Sequence, residues 1–302
     1  MSLFEFAAIL GAIAMKANPS PYAIPARIDP APIAAPLPPS APRKVRTETI
    51  GVKTTAPSVV VVDVGSGAVL YSKQSTVKRS IASMTKLVSA MVILDNGMLN
   101  GDPLTIAEDD IERLGSHVFN AGDIIQRTDA FKAFLSGSLN EVGNAFAKAA
   151  PGGRDAFVGM MNEKARVLGL DETTFVDPTG IDARSTGSAL DVARMLRSAS
   201  AYPEIREATQ SFAFQLKLAN GRTVRVKPTN LLLDSYLNED PYKIVAGKTG
   251  SLPEAGFCLG QMTQNKEGKQ IIAVALGSST HLDRFQDVKL LMAWTFGAYS
   301  WE

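Results

Sequence analysis

Residues 83–95 read SMTKLVSAMVILD and stop at Asn96-Gly97. Apolar side chains fall on nearly every face of this run. It therefore predicts a buried helix, with Gly97 as the stop that helices favour at their C-terminal end. Upstream, Ser58–Val64 (SVVVVDV) and Ala68–Lys73 (AVLYSK) are β-branched or alternating runs around Gly65-Ser66-Gly67. That pattern predicts a hairpin. No helix-opening Gly or Gly-Lys follows the glycines, which argues against a phosphate loop.

Downstream of the central helix, residues 107–114 read as a solvated acidic helix. Apolar spacing predicts further helices over 128–150, 155–169 and 188–200. The pattern then turns strand-like at Tyr242–Ala246, Gly256–Thr263 and Gln270–Leu276. Residues 265–268 form the turn between the last two, and a final helix is expected over 283–297. Two strands early, a helical middle, and three strands plus a helix late predict an α/β (α+β) fold. Its expected form is an antiparallel sheet flanked by helices, with a helical insertion.

Composition narrows the chemistry. The 302 residues carry a net charge of +1, which speaks against the basic footprint of nucleic-acid binding. The single cysteine, Cys258, can form neither an internal disulfide nor a thiolate zinc cluster. It reads as a small buried hydrophobe. His117 and His281 are the only histidines, sit 164 positions apart, and belong to no zinc-spacing motif. Both read as loop residues. Any hydrolytic chemistry here is expected to use something other than imidazole for its proton transfers.

The N-terminus stands apart. Residues 4–15 (FEFAAILGAIAM) are far shorter than the ~20 residues a membrane-spanning helix needs. Small residues at Ala12, Ala14 and Ala17 suit a signal-peptidase site, yet no basic residue precedes the run. Residues 1–17 thus read as a cleaved leader, an N-terminal anchor or an ordinary apolar tail. Residues 18–43 hold 9 of the 17 prolines, so 18–49 reads as a semi-rigid linker. The folded domain is expected over 50–302.

The central helix also opens on a reactive pair. In Ser83-Met84-Thr85-Lys86 the serine and lysine lie three apart, so one helical face carries both. A serine at a helix start faces N–H groups able to hold an oxyanion. For Lys86 to act as a base, burial or a nearby cation must lower its pKa toward neutrality. The pattern alone is weak, since Ser75-Thr76-Val77-Lys78 repeats it. That second copy falls in a basic loop, where solvation is expected. Ser138-Leu139-Asn140 follows between helical segments, and Lys248-Thr249-Gly250 at a strand end before a turn. Taken singly, these read equally as a helix cap and a strand end.

Together and in order, S-x-x-K, S-x-N and K-T-G mark penicillin-binding proteins and class A β-lactamases. The stretches IASMTKLVSAMVILD, LSGSLNEVGNAFAKA, MNEKARVLGLDETTFVDPTGID and VAGKTGSLPEAGFCLG carry the resemblance further. They resemble the serine D-Ala-D-Ala peptidases, the low-molecular-mass penicillin-binding proteins, over about residues 57–298. PGGRDAFVGMMNEKA and KTGSLPEAGFCL are most similar to the murein endopeptidase type. The 52 residues after Gly250 agree, being too few for the extra C-terminal β-domain of many family carboxypeptidases.

The resemblance implies a role for each matching residue. Ser83 would be acylated and Lys86 would be its base. Ser138 would relay a proton to the leaving amine, and Asn140 would orient Lys86 and bind the substrate backbone. Lys248 would add positive potential, helping to depress the pKa of Lys86 and attracting a substrate carboxylate. Thr249, within Lys248-Thr249-Gly250, would bind a substrate carboxylate with help from Arg284. The backbone N–H groups of Ser83 and Ser251 would form the oxyanion hole. The implied partners are peptidoglycan stem peptides and, as inhibitors, β-lactams, in the periplasm and without a cofactor or metal. Peripheral or N-terminal membrane association is a further expectation.

Two positions depart from the family pattern. Glu141 stands where Asp is frequent, and Leu139 where a small residue is common, a change expected to reshape the cleft wall. A serine β-lactamase would share the fold, but its E-x-x-L-N context is missing between Asn140 and Lys248. A silent wall-binding module is the remaining rival, disfavoured because every catalytic position is filled.

Overall fold

The computed structural model describes residues 40–112 and 117–301. Its centre is a five-stranded antiparallel sheet made of β1 (Ser58–Asp63), β2 (Val69–Lys73), β3 (Lys243–Leu252), β4 (Gly256–Gln264) and β5 (Gln270–Ser278). The spatial order is β3-β4-β5-β1-β2, so the two early strands join the late meander through the β5–β1 pair. The early hairpin and the strand triplet are therefore one sheet, with β3 at its edge.

Side chains alternate across the sheet. Val59, Val61, Ile271, Ala273 and Ala275 face one way, and Phe285, Val288, Leu291 and Met292 of α7 (Asp283–Ala298) cover them. Val60, Val62, Ile272, Val274 and Leu276 face the other way, toward the helical layer. Both faces of β1 are covered, which explains its unbroken apolar run.

The helical layer contains α1 (Lys86–Asp95), α2 (Arg127–Ser136), α3 (Asn140–Ala149), α4 (Gly153–Val167), α5 (Ala189–Ala199) and α6 (Pro203–Thr209). Helix α1 is buried from Lys86 through Ile93, as its all-round apolar pattern predicts. Met84, Met91 and Met98 pack into the same core.

Several boundaries differ from the sequence reading. The helical stretch 128–150 is two helices, broken at Gly137-Ser138-Leu139, where Ser138 takes a φ of +59°. The acidic stretch 107–114 is not a solvated helix. Only Glu108–Asp110 forms a 3-10 turn, and Asp110 is buried with its carboxylate on the Lys148 ammonium at 2.9 Å. The rest of that segment, from residue 113, lies outside the described residues.

Helix α6 and a hairpin of Phe214–Lys217 with Thr223–Val226 are additions. Backbone pairing also starts earlier than residue 50, since Arg43–Lys44 pairs with Tyr299–Ser300. No helix among the described residues is long and apolar enough to cross a membrane.

Candidate active site

Strand β3 runs on through Leu252, so Lys248-Thr249-Gly250 lies inside the edge strand and not at its end. The open side of that edge meets a 3-10 turn, Ala82–Thr85, which leads directly into α1. The approach is close. A Cβ on Gly250 would stand 3.1 Å from the Ser83 nitrogen and 3.1 Å from the Ile81 carbonyl. Glycine at 250 thus lets the strand backbone lie against the serine.

Ala82, just before that serine, holds a φ of +46°, and Ser138 a φ of +59°. Non-glycine residues adopt this region rarely and at a cost, and such strain gathers at functional sites. Ser138, and the Ser83 that follows Ala82, line one cleft of about 630 Å³. Its walls carry Ser83, Ser138, Asn140, Thr249, Gly250, Ser251 and Arg284.

Lys86 is fully buried, and its Nζ contacts Ser83 Oγ at 2.8 Å, Asn140 Oδ1 at 2.6 Å and the Thr179 carbonyl at 2.8 Å. An amide oxygen and a backbone carbonyl only accept. Two N–H bonds of the free amine are therefore committed to them, and its lone pair is left for the Ser83 hydroxyl. Burial lowers the pKa of Lys86 from 10.5 to about 7, while the carboxylates of Asp177 and Glu141 act in the opposite direction. The free amine is thus well populated near neutrality.

Lys248 is buried too and donates to Ser138 Oγ at 2.7 Å and to the Thr249 carbonyl at 2.9 Å. Burial, then Lys86, then Arg284 hold its pKa well below the ordinary lysine value. The resemblance implies that Lys248 helps to depress the pKa of Lys86. In the structure burial is the main cause for Lys86, and the repulsion between the amines falls on Lys248. Two buried amines this close share one charge more readily than they hold two.

Thr249 Oγ1 is 2.6 Å from Thr229 Oγ1. Arg284 is buried, donates to the Gly250 carbonyl at 3.1 Å, and lies between the rings of Phe257 and Phe285 at 5.8 and 4.8 Å. Burial draws its pKa down to about 10.

Three residues of this network were not singled out from the sequence. Thr179 meets Lys86 through its backbone carbonyl, which no side-chain pattern reveals. Asp177 holds its own loop by short-range hydrogen bonds, and Thr229 reaches across to Thr249. The stretch containing Asp177 and Thr179, FVDPTGID, did form part of the resemblance.

The two departures at the second motif resolve differently. Leu139 is buried in the core and does not reshape the cleft wall. Glu141 is also buried, and its Oε1 accepts the N–H groups of Val118 at 2.9 Å and Phe119 at 3.3 Å. It pins the Val118–Phe119 backbone to the first turn of α3.

Elsewhere, Cys258 is buried and its thiol is raised to about 11 by burial, as expected for a packing residue. His117 and His281 are exposed, the latter against Phe257 and Phe285.

Comparison with known proteins agrees with this geometry. Residues 44–280 match the peptidase S11 family, described as D-alanyl-D-alanine carboxypeptidase. A D-alanyl-D-alanine endopeptidase of Pseudomonas aeruginosa is 32% identical over 247 residues, covering 78% of this chain and 76% of its own length. The Streptomyces K15 DD-transpeptidase structure superposes with a TM-score of 0.76 at 26% identity, over 82% of this chain and all of the other. Penicillin-binding protein D2 of Listeria monocytogenes, in its cefotaxime-bound form, gives 0.70 at 25% identity, again over 82% of this chain and all of the other. An amine at about 7 on a strained serine turn, against an edge strand of a shared fold, is chemistry suited to acyl transfer. The chain belongs to the D-alanyl-D-alanine carboxypeptidase family and is a serine-type peptidase of the low-molecular-mass penicillin-binding protein group.

Proposed function

We propose that Ser83 is the acylated nucleophile of a peptidase that cleaves the bond following D-alanine in peptidoglycan stem peptides. The observation that carries this reading is the Lys86 amine, buried, at about 7 and 2.8 Å from Ser83 Oγ. The free amine takes the hydroxyl proton as Oγ attacks the D-alanyl carbonyl carbon. Negative charge then develops on the carbonyl oxygen, where the N–H groups of Ser83 and Ser251 would receive it. Losing one such donor typically costs about 10²–10³ in rate.

Collapse of that intermediate breaks the C–N bond and leaves an ester on Ser83. The departing amine takes its proton from the Lys86 ammonium by way of Ser138, whose hydroxyl is held by Lys248. Water then hydrolyses the ester, with Lys86 as base again. Asn140 keeps Lys86 aimed and offers its amide N–H to the substrate backbone. Thr249 and Arg284 at the other end of the cleft suit a substrate carboxylate. A β-lactam places its own carbonyl at Ser83 and is expected to form the corresponding ester.

We assign the reaction to the periplasmic side of the cell envelope, with residues 1–17 as leader or anchor and the proline-rich stretch that precedes the Arg43–Lys44 strand as a tether. Within the family, the likeness to an endopeptidase favours cross-links over terminal D-Ala-D-Ala as the preferred bond. Digesting purified muropeptides with the full chain, and weighing the products, tests this. Conversion of cross-linked dimers to monomers is expected. Release of free D-alanine with the dimers intact would assign the carboxypeptidase activity instead.

A further inference from the structure

Lys86 has three partners, and one of them, the Thr179 carbonyl, belongs to the loop between α4 and α5. That loop is wound on a single buried carboxylate. Asp177 Oδ1 accepts the N–H groups of Thr179 at 2.7 Å, Gly180 at 2.6 Å and Ile181 at 3.3 Å, and the Thr179 hydroxyl at 3.0 Å. Its Oδ2 accepts the Asp182 N–H at 3.2 Å and the Ser185 hydroxyl at 2.9 Å.

Six neutral donors therefore converge on one side chain that can only accept. The wound loop is pressed onto the catalytic turn. Gly180 takes a φ of +78°, and a Cβ there would stand 1.9 Å from the Ala82 carbonyl oxygen. Gly180 and Ile181 also line the cleft.

We propose that Asp177 is a positioning residue for acyl transfer: it fixes the Thr179 carbonyl and Gly180 against the Ala82–Thr85 turn, and so holds the Lys86 amine on Ser83. The proposal rests on the reading of Ser83 as nucleophile. Its logic is geometric, since displacing a reacting group by about 1 Å can cost about 10²-fold in rate. It also carries an electrostatic signature. The charged groups acting on Lys86 are the carboxylates of Asp177 and Glu141, with Lys248 the neighbouring cation that feels its charge. Neutralising Asp177 removes an interaction that favours the Lys86 ammonium, so the free amine persists to lower pH.

Asp177→Asn in the full chain separates this from a merely structural role. It retains Oδ1 as the acceptor for Thr179, Gly180 and Ile181, loses the charge, and gives up the Oδ2 acceptor of Asp182 and Ser185. The readout is the rate of benzylpenicillin ester formation at pH 6 and pH 8, followed by mass and mapped to Ser83. A base at about 7 gives the parent chain about a tenfold rise between these pH values. Asp177→Asn is expected to compress that rise to about two- to threefold, and Asp177→Ala to slow the pH 8 rate about 10²-fold. If Asp177→Ala does not fold by circular dichroism, Asp177→Asn alone decides. An unchanged tenfold rise in Asp177→Asn overturns the proposal, whatever the absolute rates. A folded Asp177→Ala that acylates at the parent rate overturns it as well. Ser83→Ala, run in parallel, reads the underlying assignment separately: labelling that persists there would overturn both.

Discussion

Two segments of this chain carry the same Ser-x-x-Lys spacing and have different fates. Ser83 and Lys86 straddle the junction of a strained 3-10 turn and a buried helix, and their side chains meet at 2.8 Å. Ser75 and Lys78 lie between the β1–β2 hairpin and that turn. There Ser75 Oγ pairs with Ser72 Oγ at 2.7 Å, and the exposed Lys78 reaches toward Thr174. Spacing places two groups in reach of each other only where a helix holds them. Reactivity then requires that the amine lose its water. Lys86 has lost it, and its pKa falls to about 7. Lys78 is solvated.

The contrast can be broken in several ways. The largest effect is expected from Lys86→Ala, which should lower the penicillin acylation rate by about 10²–10⁴-fold, the usual worth of a positioned base. Lys78→Ala should leave that rate unchanged, and equal losses in the two variants would erase the distinction.

A smaller effect is expected from pH. Because Lys86 reacts as the free amine, acylation should fall as pH drops through about 7 and level off above it. A rate still climbing between pH 8 and 10 would mean that burial does not lower the lysine as described.

The smallest effect is one of stability. Gly180→Ala should destabilise the fold by about 1–3 kcal/mol in urea unfolding, because the new methyl meets the Ala82 carbonyl that supports the first motif. An unchanged midpoint would show that the loop does not bear on the turn.

Much of this architecture was legible in the sequence, for reasons that individual residues make plain. The runs SVVVVD and KLVSAMVILD announce their burial because both faces of β1 and all sides of α1 are covered. The S-x-x-K, S-x-N and K-T-G motifs were legible as a set because the edge strand, the turn and the α2–α3 junction bring them to one cleft. What stayed hidden was contributed by backbone or by irregular structure. The break at Ser138 rests on a left-handed residue within an otherwise helical pattern. The Thr179 carbonyl has no side-chain signature, and the short helix Pro203–Thr209 carries too few turns for a period. Leu139 misled because its neighbours in sequence line the cleft while its own side chain turns into the core.

The acyl-transfer chemistry rests on one serine, and peptide mapping addresses it most directly. The chain, Ser83→Ala and Ser75→Ala would each be mixed with benzylpenicillin, digested and analysed by mass. The expected result is a single penicilloyl adduct on the peptide containing Ser83 in the parent and in Ser75→Ala, and no adduct in Ser83→Ala. An adduct that survives Ser83→Ala, or disappears with Ser75→Ala, would contradict it.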